Sequence, residues 1–121
     1  MVDLKNAYGI LGGHPSFQRA FRSIPILATL DDNDYGNGGD ACGENPSKDR
    51  AKHMFLDFFG VSKEDDRWAA NRGVYTSISW QEELQILVLD LRYHKCRFLD
   101  APDKKHVPDF VARDKTMLGD K

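Results

Sequence analysis

The chain has 121 residues, about the length of one domain, and 40% of them are hydrophobic. That apolar fraction is enough for a core and excludes a wholly disordered chain. The formal charge of −2 gives no electrostatic reason to expect nucleic acid or an anionic membrane surface as a partner. No apolar run approaches the roughly 20 residues of a membrane span, so none is predicted.

Two short helices are predicted in the first part of the chain. The first ends at Gly12 and Gly13, and the second begins at Pro15 and is broken by Pro25. Their apolar residues recur at helical spacing, namely Leu4, Ala7, Tyr8 and Leu11, then Phe17, Ala20, Phe21 and Ile24. The apolar run 26–30 then predicts a buried strand. Residues 31–40, rich in Gly, Asn and Asp, predict a loop.

The second part of the chain predicts one helix and two strands. Residues 46–59 carry an apolar stripe at helical spacing, and Gly60 ends that helix. Residues 74–80 alternate between apolar and polar side chains, which is typical of a strand. Residues 84–91 are nearly all apolar and predict a central strand covered on both faces, whereas 95–115 predict a loop. Helices that alternate with strands indicate a mixed α/β layered fold.

The acidic loop is the first candidate site. Residues 31–40 hold four aspartates and two asparagines and no basic residue, and they directly follow the predicted strand 26–30. Ligand crevices in open α/β sheets lie beyond the carboxyl ends of strands, and Asp and Asn oxygens suit hard cations. A metal site is therefore one interpretation. The other is a solvated turn in which these side chains accept hydrogen bonds from their own backbone.

A second candidate lies at the end of the predicted strand 84–91, where Asp90 and Arg92 follow the apolar run. A buried strand gains nothing from ending in a carboxylate unless that charge has a partner. One alternative is a structural ion pair with Arg92 or another basic neighbour. The other is a metal or phosphate bound at the same sheet edge as the acidic loop.

Several familiar motifs are excluded. An EF-hand with Gly36 at its sixth position would place Cys42 at the twelfth, where a carboxylate is required. The glycines 36, 38 and 39 are not followed by the Gly-Lys-Ser/Thr of a phosphate loop. Cys42 and Cys96 match no zinc spacing, and no nucleophile signature occurs. The N-terminus lacks a signal-peptide pattern, so the compartment stays open.

Several segments together resemble one family. Residues 24–36, with the sequence IPILATLDDNDYG, are similar to the strand and loop of the alkaline phosphatase D (PhoD-like) metallophosphatases, usually an apolar strand followed by Trp-Asp-Asp-His-Asp-Tyr-Gly. Residues 52–59 resemble the helix that follows that loop. Residues 72–75, 87–93 and 116–119 resemble the next signatures in order. The resemblance extends over almost the whole chain.

This resemblance implies an α/β/β/α metallophosphoesterase sandwich, of which residues 1–121 would be the central and incomplete part. It implies hydrolysis of phosphate esters by metal-activated water, with calcium and iron as the metal ions and the rest of the catalytic domain as a partner. Asp32 matches a metal-ligating position of the family, and Asn33 and Arg92 are the candidate catalytic residues. The further candidate metal residues are Asp31, Asp34, Asn37 and Asp90.

The sequence departs from the family pattern in the acidic loop. Asn33 stands where the family usually has the histidine that contacts phosphate and assists the leaving group. An amide cannot act as a general acid at ordinary pH, but it can donate a hydrogen bond to a phosphoryl oxygen. Leu30 replaces the usual tryptophan. The alternative function is therefore a catalytically inactive remnant that binds a cation or a partner.

Overall fold

A computed structural model describes residues 4–35, 45–81 and 83–95 of the chain. These residues form three α-helices, two short 3-10 turns and one two-stranded sheet. The helices are α1 (Leu4–Gly13), α2 (Pro15–Ser23) and α3 (Lys48–Phe58), and the strands are β1 (Thr76–Trp80) and β2 (Leu84–Val88). Helices and a sheet occur together, as a mixed α/β fold requires, and the α/β/β/α sandwich stays a prediction.

The two N-terminal helices pack on the C-terminal end of α3 through aromatic rings. His14 alone separates α1 from α2, and its Nδ1 accepts a hydrogen bond from the N–H of Ser16 at 3.3 Å, which caps α2. Tyr8 of α1 stacks on Phe58 with ring centroids 4.6 Å apart, and Phe17 of α2 packs on the same ring at 5.4 Å. The apolar spacing read from the sequence therefore orients both helices toward α3.

The core lies between α3 and the chain segments on either side of it. The predicted stripe of α3 is confirmed for Ala51 and Phe55, which are buried. Gly60 has a φ of 67°, a left-handed conformation that suits glycine, and it follows the helix as predicted. The buried hydrophobic residues of the described chain are Leu30, Tyr35, Ala51, Phe55, Leu56, Val74 and Tyr93.

The two strands form an antiparallel hairpin, with Thr76 opposite Val88 and Trp80 opposite Leu84. The predicted strands 74–80 and 84–91 are both confirmed, although each is shorter than its apolar pattern. The expectation that the second strand is covered on both faces is wrong, because the Leu87 side chain is 63% exposed. A run of apolar residues cannot distinguish a covered strand from one whose outer face is open.

The predicted strand 26–30 has no regular secondary structure and pairs with no strand of the described chain. Its contact with the hairpin comes from a side chain, because the Thr29 hydroxyl donates a hydrogen bond to the backbone oxygen of Leu89 at 2.7 Å. Leu30 is buried, whereas Leu27 is 45% exposed. The prediction of a buried strand is therefore wrong here, although Leu30 at the end of the segment is buried as expected.

A buried lysine joins α3 to the segment that precedes the hairpin. Lys52 is fully buried, and its Nζ donates hydrogen bonds to the backbone oxygens of Ala69 at 2.7 Å and Arg72 at 3.0 Å. The same Nζ lies 3.0 Å from the Asp49 carboxylate. An ammonium group has three donors, and here each has an acceptor. The lysine therefore carries its charge into the core with all three donors satisfied.

A second ion pair caps the 3-10 turn Asp66–Trp68. The Asp65 carboxylate accepts hydrogen bonds from the backbone N–H of Arg67 at 2.9 Å and from its Nε and Nη2 at 2.8 Å. The hydrogen bonds from the Arg67 side chain lower the pKa of Asp65 to about 2, although partial burial opposes that shift. The carboxylate therefore stabilises the fold in its charged form.

We expect Lys52→Met to be strongly destabilising. The substitution removes the donor from the backbone oxygens of Ala69 and Arg72 at a part-buried site and removes the partner of Asp49, which costs roughly 2–4 kcal/mol of unfolding free energy. Urea denaturation measures the loss. Arg50→Met is the matched control, because Arg50 lies on the same helix with an exposed side chain. Equal stability of the two variants would contradict the role assigned to the buried ammonium group.

The Asp65 pair predicts a dependence of stability on pH. Because the folded-state pKa lies below the unfolded value of about 3.9, the pair contributes fully above that value. Its contribution is lost as the pH falls through about 2, the folded-state pKa. Thermal melts between these two limits should show a shallower decline for Asp65→Asn than for the wild type. Glu64→Gln, a neighbouring exposed change, should follow the wild-type curve.

Candidate functional site

Two segments far apart in sequence lie side by side and run in the same direction. Thr29 contacts Leu89 through a hydrogen bond, and Asp31 contacts Arg92 across 61 positions of sequence. Because the residue numbers rise together along both segments, their carboxyl ends reach the same edge of the molecule. We name residues 31–35 and 90–93 the paired turns. The structure thus brings residues 31–35, the described part of the acidic loop, next to the end of the predicted strand 84–91.

One ion pair joins the paired turns at their surface. The Nε of Arg92 donates a hydrogen bond to Oδ1 of Asp31 at 2.6 Å. The Asp31 side chain is 69% exposed and that of Arg92 is 22% exposed. A pair that faces solvent on one side is worth at most about 1 kcal/mol. Another anion can therefore exchange with Asp31 on the guanidinium at small cost.

Asp90 accepts hydrogen bonds from backbone N–H groups of the described chain. Its Oδ1 accepts the N–H groups of Arg92 and Tyr93, both at 2.9 Å. Its Oδ2 accepts the N–H of Val74 at 2.8 Å. Of the alternatives left open for Asp90, the ion pair with the Arg92 side chain does not form, because that side chain pairs with Asp31. Three backbone hydrogen bonds satisfy the nearly buried carboxylate instead. The role of Asp90 as a metal ligand stays a prediction.

The approach of Asp90 to the neighbouring backbone requires a glycine. A Cβ placed on Gly73 would lie 2.7 Å from Oδ2 and 3.2 Å from Cγ of Asp90. Real Cβ atoms do not come that close to a carboxylate. In the sequence Gly73 falls within residues 72–75, which resemble a family signature, and that resemblance does not reveal this contact.

Asp32 and Asp34 of the acidic loop accept hydrogen bonds from the backbone of the same loop and from Tyr8. Asp34 accepts the hydroxyl of Tyr8 at 3.1 Å and the backbone N–H of Asp31 at 2.9 Å. Asp32 accepts the backbone N–H of Asn33 at 3.0 Å. These bonds correspond to the second interpretation of the loop, in which its side chains cap their own backbone. Asn37, the remaining predicted ligand, lies outside the described residues.

Asn33 opens the 3-10 turn Asn33–Tyr35 and is exposed. Its neighbours on either side are tied to the turn by hydrogen bonds of their carboxylates, so its position on the turn is fixed. Arg92 belongs to the other of the paired turns. The two candidate catalytic residues are therefore both presented at the edge where the two segments end.

A tyrosine cluster beneath the paired turns was missed by sequence reasoning. The Tyr93 hydroxyl donates to Oδ1 of Asp49 at 2.7 Å, and Lys52 contacts the same oxygen. Burial raises the pKa of Asp49, but the hydrogen bonds from Tyr93 and Lys52 outweigh it and the net pKa is lowered. Burial also raises the pKa of Tyr93, so its hydroxyl remains a neutral donor. The spacing of Asp49 and Lys52 by three positions is the signal that indicates their pairing.

Tyr35 belongs to the same cluster. Its ring lies 6.5 Å from that of Tyr93, and its hydroxyl is buried without a hydrogen-bond partner among the described residues. Burial raises the pKa of Tyr35, and the charge of Asp90 adds to the rise. The phenol therefore stays protonated, and it adds a neutral polar group to the floor of the paired turns.

The described residues do not assemble a metal site by themselves. In residues 4–35, 45–81 and 83–95, no group of three or more His, Cys, Asp or Glu side chains is placed to hold a metal ion. Asp34 and Asp90 already accept hydrogen bonds through both of their oxygens. These side chains therefore do not fit calcium or iron as a complete ligand set.

Comparisons of the chain with family models, with curated proteins and with solved structures find no match. The PhoD-like resemblance therefore rests on the sequence segments quoted above. Within the part of the chain that the structure describes, no helix has the length and apolar character needed to cross a bilayer.

We expect Gly73→Ala to destabilise the fold, because its new Cβ would push against the Asp90 carboxylate. Overpacking of this kind typically costs about 1–3 kcal/mol of unfolding free energy. Gly9→Ala is the matched control, since a Cβ there meets nothing within 4 Å and Gly9 lies in α1. Chemical denaturation should show a loss for Gly73→Ala and a small gain for Gly9→Ala. A Gly73→Ala variant as stable as the wild type would contradict the assigned contact.

Proposed function

We propose that this chain carries the central part of a PhoD-like metallophosphatase domain and that its function is the metal-dependent hydrolysis of phosphate esters. The observation that carries the proposal is the contact between Asp31 and Arg92 across 61 positions. It joins two segments that separately resemble the family, at residues 24–36 and 87–93. In open α/β sheets ligand crevices lie beyond the carboxyl ends of strands, and in the sandwich that the resemblance implies these two segments would be such strands.

Among the described residues, Arg92 is well suited to bind the phosphoryl group. A guanidinium presents paired N–H donors that match phosphate oxygens. Its side chain is 22% exposed, which strengthens its attraction for an anion compared with a fully solvated arginine. In the structure Asp31 occupies its Nε. A phosphate ester would compete with this exposed carboxylate for the guanidinium.

Asn33 limits the kind of ester that this chain can hydrolyse. Its amide donates a hydrogen bond but cannot supply the proton that a poor leaving group needs. The leaving group must then depart as an anion. We therefore infer a preference for aryl esters, whose leaving groups are weak bases, over alkyl esters.

The metal ions that the resemblance implies need ligands beyond the described residues, because the carboxylates of the paired turns do not form a complete set. Bound metal would neutralise phosphate charge and lower the pKa of a water molecule. The chain's own contribution in this proposal is limited to orientation. Asp90 fixes the turn that carries Arg92, and Asp34 fixes the turn that carries Asn33.

The exposed face of the hairpin supports a larger layered fold. Leucines at alternate positions of β2 and its extension are open to solvent, with Leu87 63%, Leu89 61% and Leu91 42% exposed. Alternate residues of an extended chain share one face. Such a face is what a further layer of an α/β/β/α sandwich would cover, and contiguous apolar surface of this kind marks an interaction site.

The alternative is a remnant that binds a cation or a partner without turnover. The amide at position 33 favours it, because an amide cannot act as a general acid. It differs from the first proposal in one measurable respect. A remnant binds calcium in calorimetry and releases no product from any ester.

The test uses p-nitrophenyl phosphate and its bis ester, with calcium and iron, on the chain and on a version extended by its flanking sequence. We expect hydrolysis by the extended version. Arg92→Gln should lower kcat/KM by roughly a hundredfold, the usual effect of removing one such donor. Arg19→Gln, a change on α2, is the control and should leave kcat/KM unchanged. Thermal melts establish that each variant is folded.

Two further variants sharpen the test. Asp32→Ala should abolish turnover if the family's metal-binding position is used, and Asn33→His should accelerate the hydrolysis of alkyl esters more than that of aryl esters. An inert extended version, or full activity in both Arg92→Gln and Asp32→Ala, would overturn the proposal. Calcium binding without turnover in every version would establish the remnant instead.

A further inference from the structure

The Tyr8 hydroxyl connects α1 to the turn 31–35 across 26 positions of sequence. It donates a hydrogen bond to Oδ1 of Asp34 at 3.1 Å. The other oxygen of this carboxylate, Oδ2, accepts the backbone N–H of Asp31 at 2.9 Å. Asp34 therefore has one donor from α1 and one from the turn itself, and the two bonds together fix the direction of its carboxylate. Through Asp34, the position of the turn depends on a residue of the first helix.

Aromatic packing holds the Tyr8 ring in place. The ring stacks on Phe58 of α3, with 4.6 Å between the centroids and 11° between the ring planes. Phe17 of α2 packs on the same Phe58 ring at 5.4 Å. Tyr8 is partly buried and packs against the hydrophobic core. None of these contacts uses the hydroxyl, so a variant that lacks only the hydroxyl loses the bond to Asp34 and keeps the packing of α1.

The Tyr8 hydroxyl is a neutral donor that faces a carboxylate. Burial raises the pKa of Tyr8 above its ordinary value, and the charge of Asp34 adds to the rise. Hydrogen bonds to ionised carboxylates are stronger than those between neutral groups. Without the hydroxyl, Oδ1 of Asp34 loses this donor, and the carboxylate gains the freedom to rotate away from the Asp31 N–H.

The turn that Asp34 fixes also carries Asn33, the first residue of the 3-10 turn Asn33–Tyr35. We propose that Tyr8 is a positioning residue, which through Asp34 holds the Asn33 amide where it can contact the phosphoryl group. This inference rests on the proposed phosphatase function. It extends that function to α1, which precedes residue 24, where the resemblance to the family begins. Tyr8 acts on the rate without contacting the substrate.

Hydrogen exchange followed by NMR tests the positioning in the chain itself. Tyr8→Phe keeps the ring and removes the hydroxyl. The Asp31 amide should exchange roughly threefold to tenfold faster in this variant, because its acceptor is no longer held by a second bond. The Arg67 amide, which also donates to a carboxylate, that of Asp65, should exchange at the wild-type rate. An unchanged rate for Asp31 would overturn the proposal whether or not the protein hydrolyses phosphate esters.

Hydrolysis of p-nitrophenyl phosphate by the extended version, with calcium and iron, gives the second measurement. Tyr8→Phe should lower kcat by roughly tenfold, the effect of one hydrogen bond to a charged group. KM should stay at the wild-type value, because Asp90 fixes the turn that carries Arg92. Tyr75→Phe is the matched control. Its hydroxyl accepts a hydrogen bond from Arg72 at 3.3 Å, outside the paired turns, and its loss should change neither kcat nor KM.

A double-mutant cycle distinguishes an effect through Asp34 from a general loss of stability. In an Asp34→Ala background, Tyr8→Phe should lower kcat no further, since the acceptor is already absent. The proposal would be overturned by an equal loss in both backgrounds, by a rise in KM with kcat unchanged, or by wild-type kcat in Tyr8→Phe. An inert extended version would overturn the proposed function and this inference together. An active extended version that Tyr8→Phe leaves unchanged would contradict the positioning role alone.

Discussion

The arrangement of the candidate site depends on how the Asp90 carboxylate is solvated. This nearly buried charge receives three backbone N–H groups, two from the turn that follows it and one from Val74. Such bonds replace the water that the carboxylate loses on folding. They also fix the direction in which the next residues leave the hairpin. Arg92 consequently reaches outward to Asp31, and Tyr93 turns inward to the core.

The hydrogen bonds that begin at Asp90 extend through Tyr93 to polar groups in the interior. The Tyr93 hydroxyl bonds to Asp49, which also contacts Lys52, and Lys52 bonds to the backbone that precedes the hairpin. One connected set of hydrogen bonds therefore joins α3, the hairpin and the paired turns. If one member of such a network is removed, the remaining buried polar groups lose their hydrogen-bond partners, so we expect its members to contribute to stability together. The surface that we propose to bind phosphate is held in place by this interior.

Local sequence patterns predicted the helices and the hairpin strands but not the contacts between residues distant in sequence. The stripe of α3, the glycine that follows it and the two strands are set by side-chain periodicity and by backbone conformation, which neighbouring residues determine. The partner of Asp90, the burial of Lys52 and the open face of Leu87 depend on residues distant in sequence. A charged residue next to an apolar run indicates that a partner exists but not which group supplies it. Segment 26–30 is a further example, because it contacts Leu89 through the Thr29 hydroxyl, which its apolar pattern does not indicate.

Because Gly73 lies so close to Asp90, the substitutions tolerated at one of these positions depend on the residue at the other, 17 residues away in sequence. A side chain at position 73 fits only after the carboxylate at position 90 has been shortened or removed. Removing that carboxylate first leaves three amides without an acceptor. Among relatives of this protein, glycine and aspartate should therefore be kept or replaced as a pair, and such covariation would trace the hairpin contact through sequence alone.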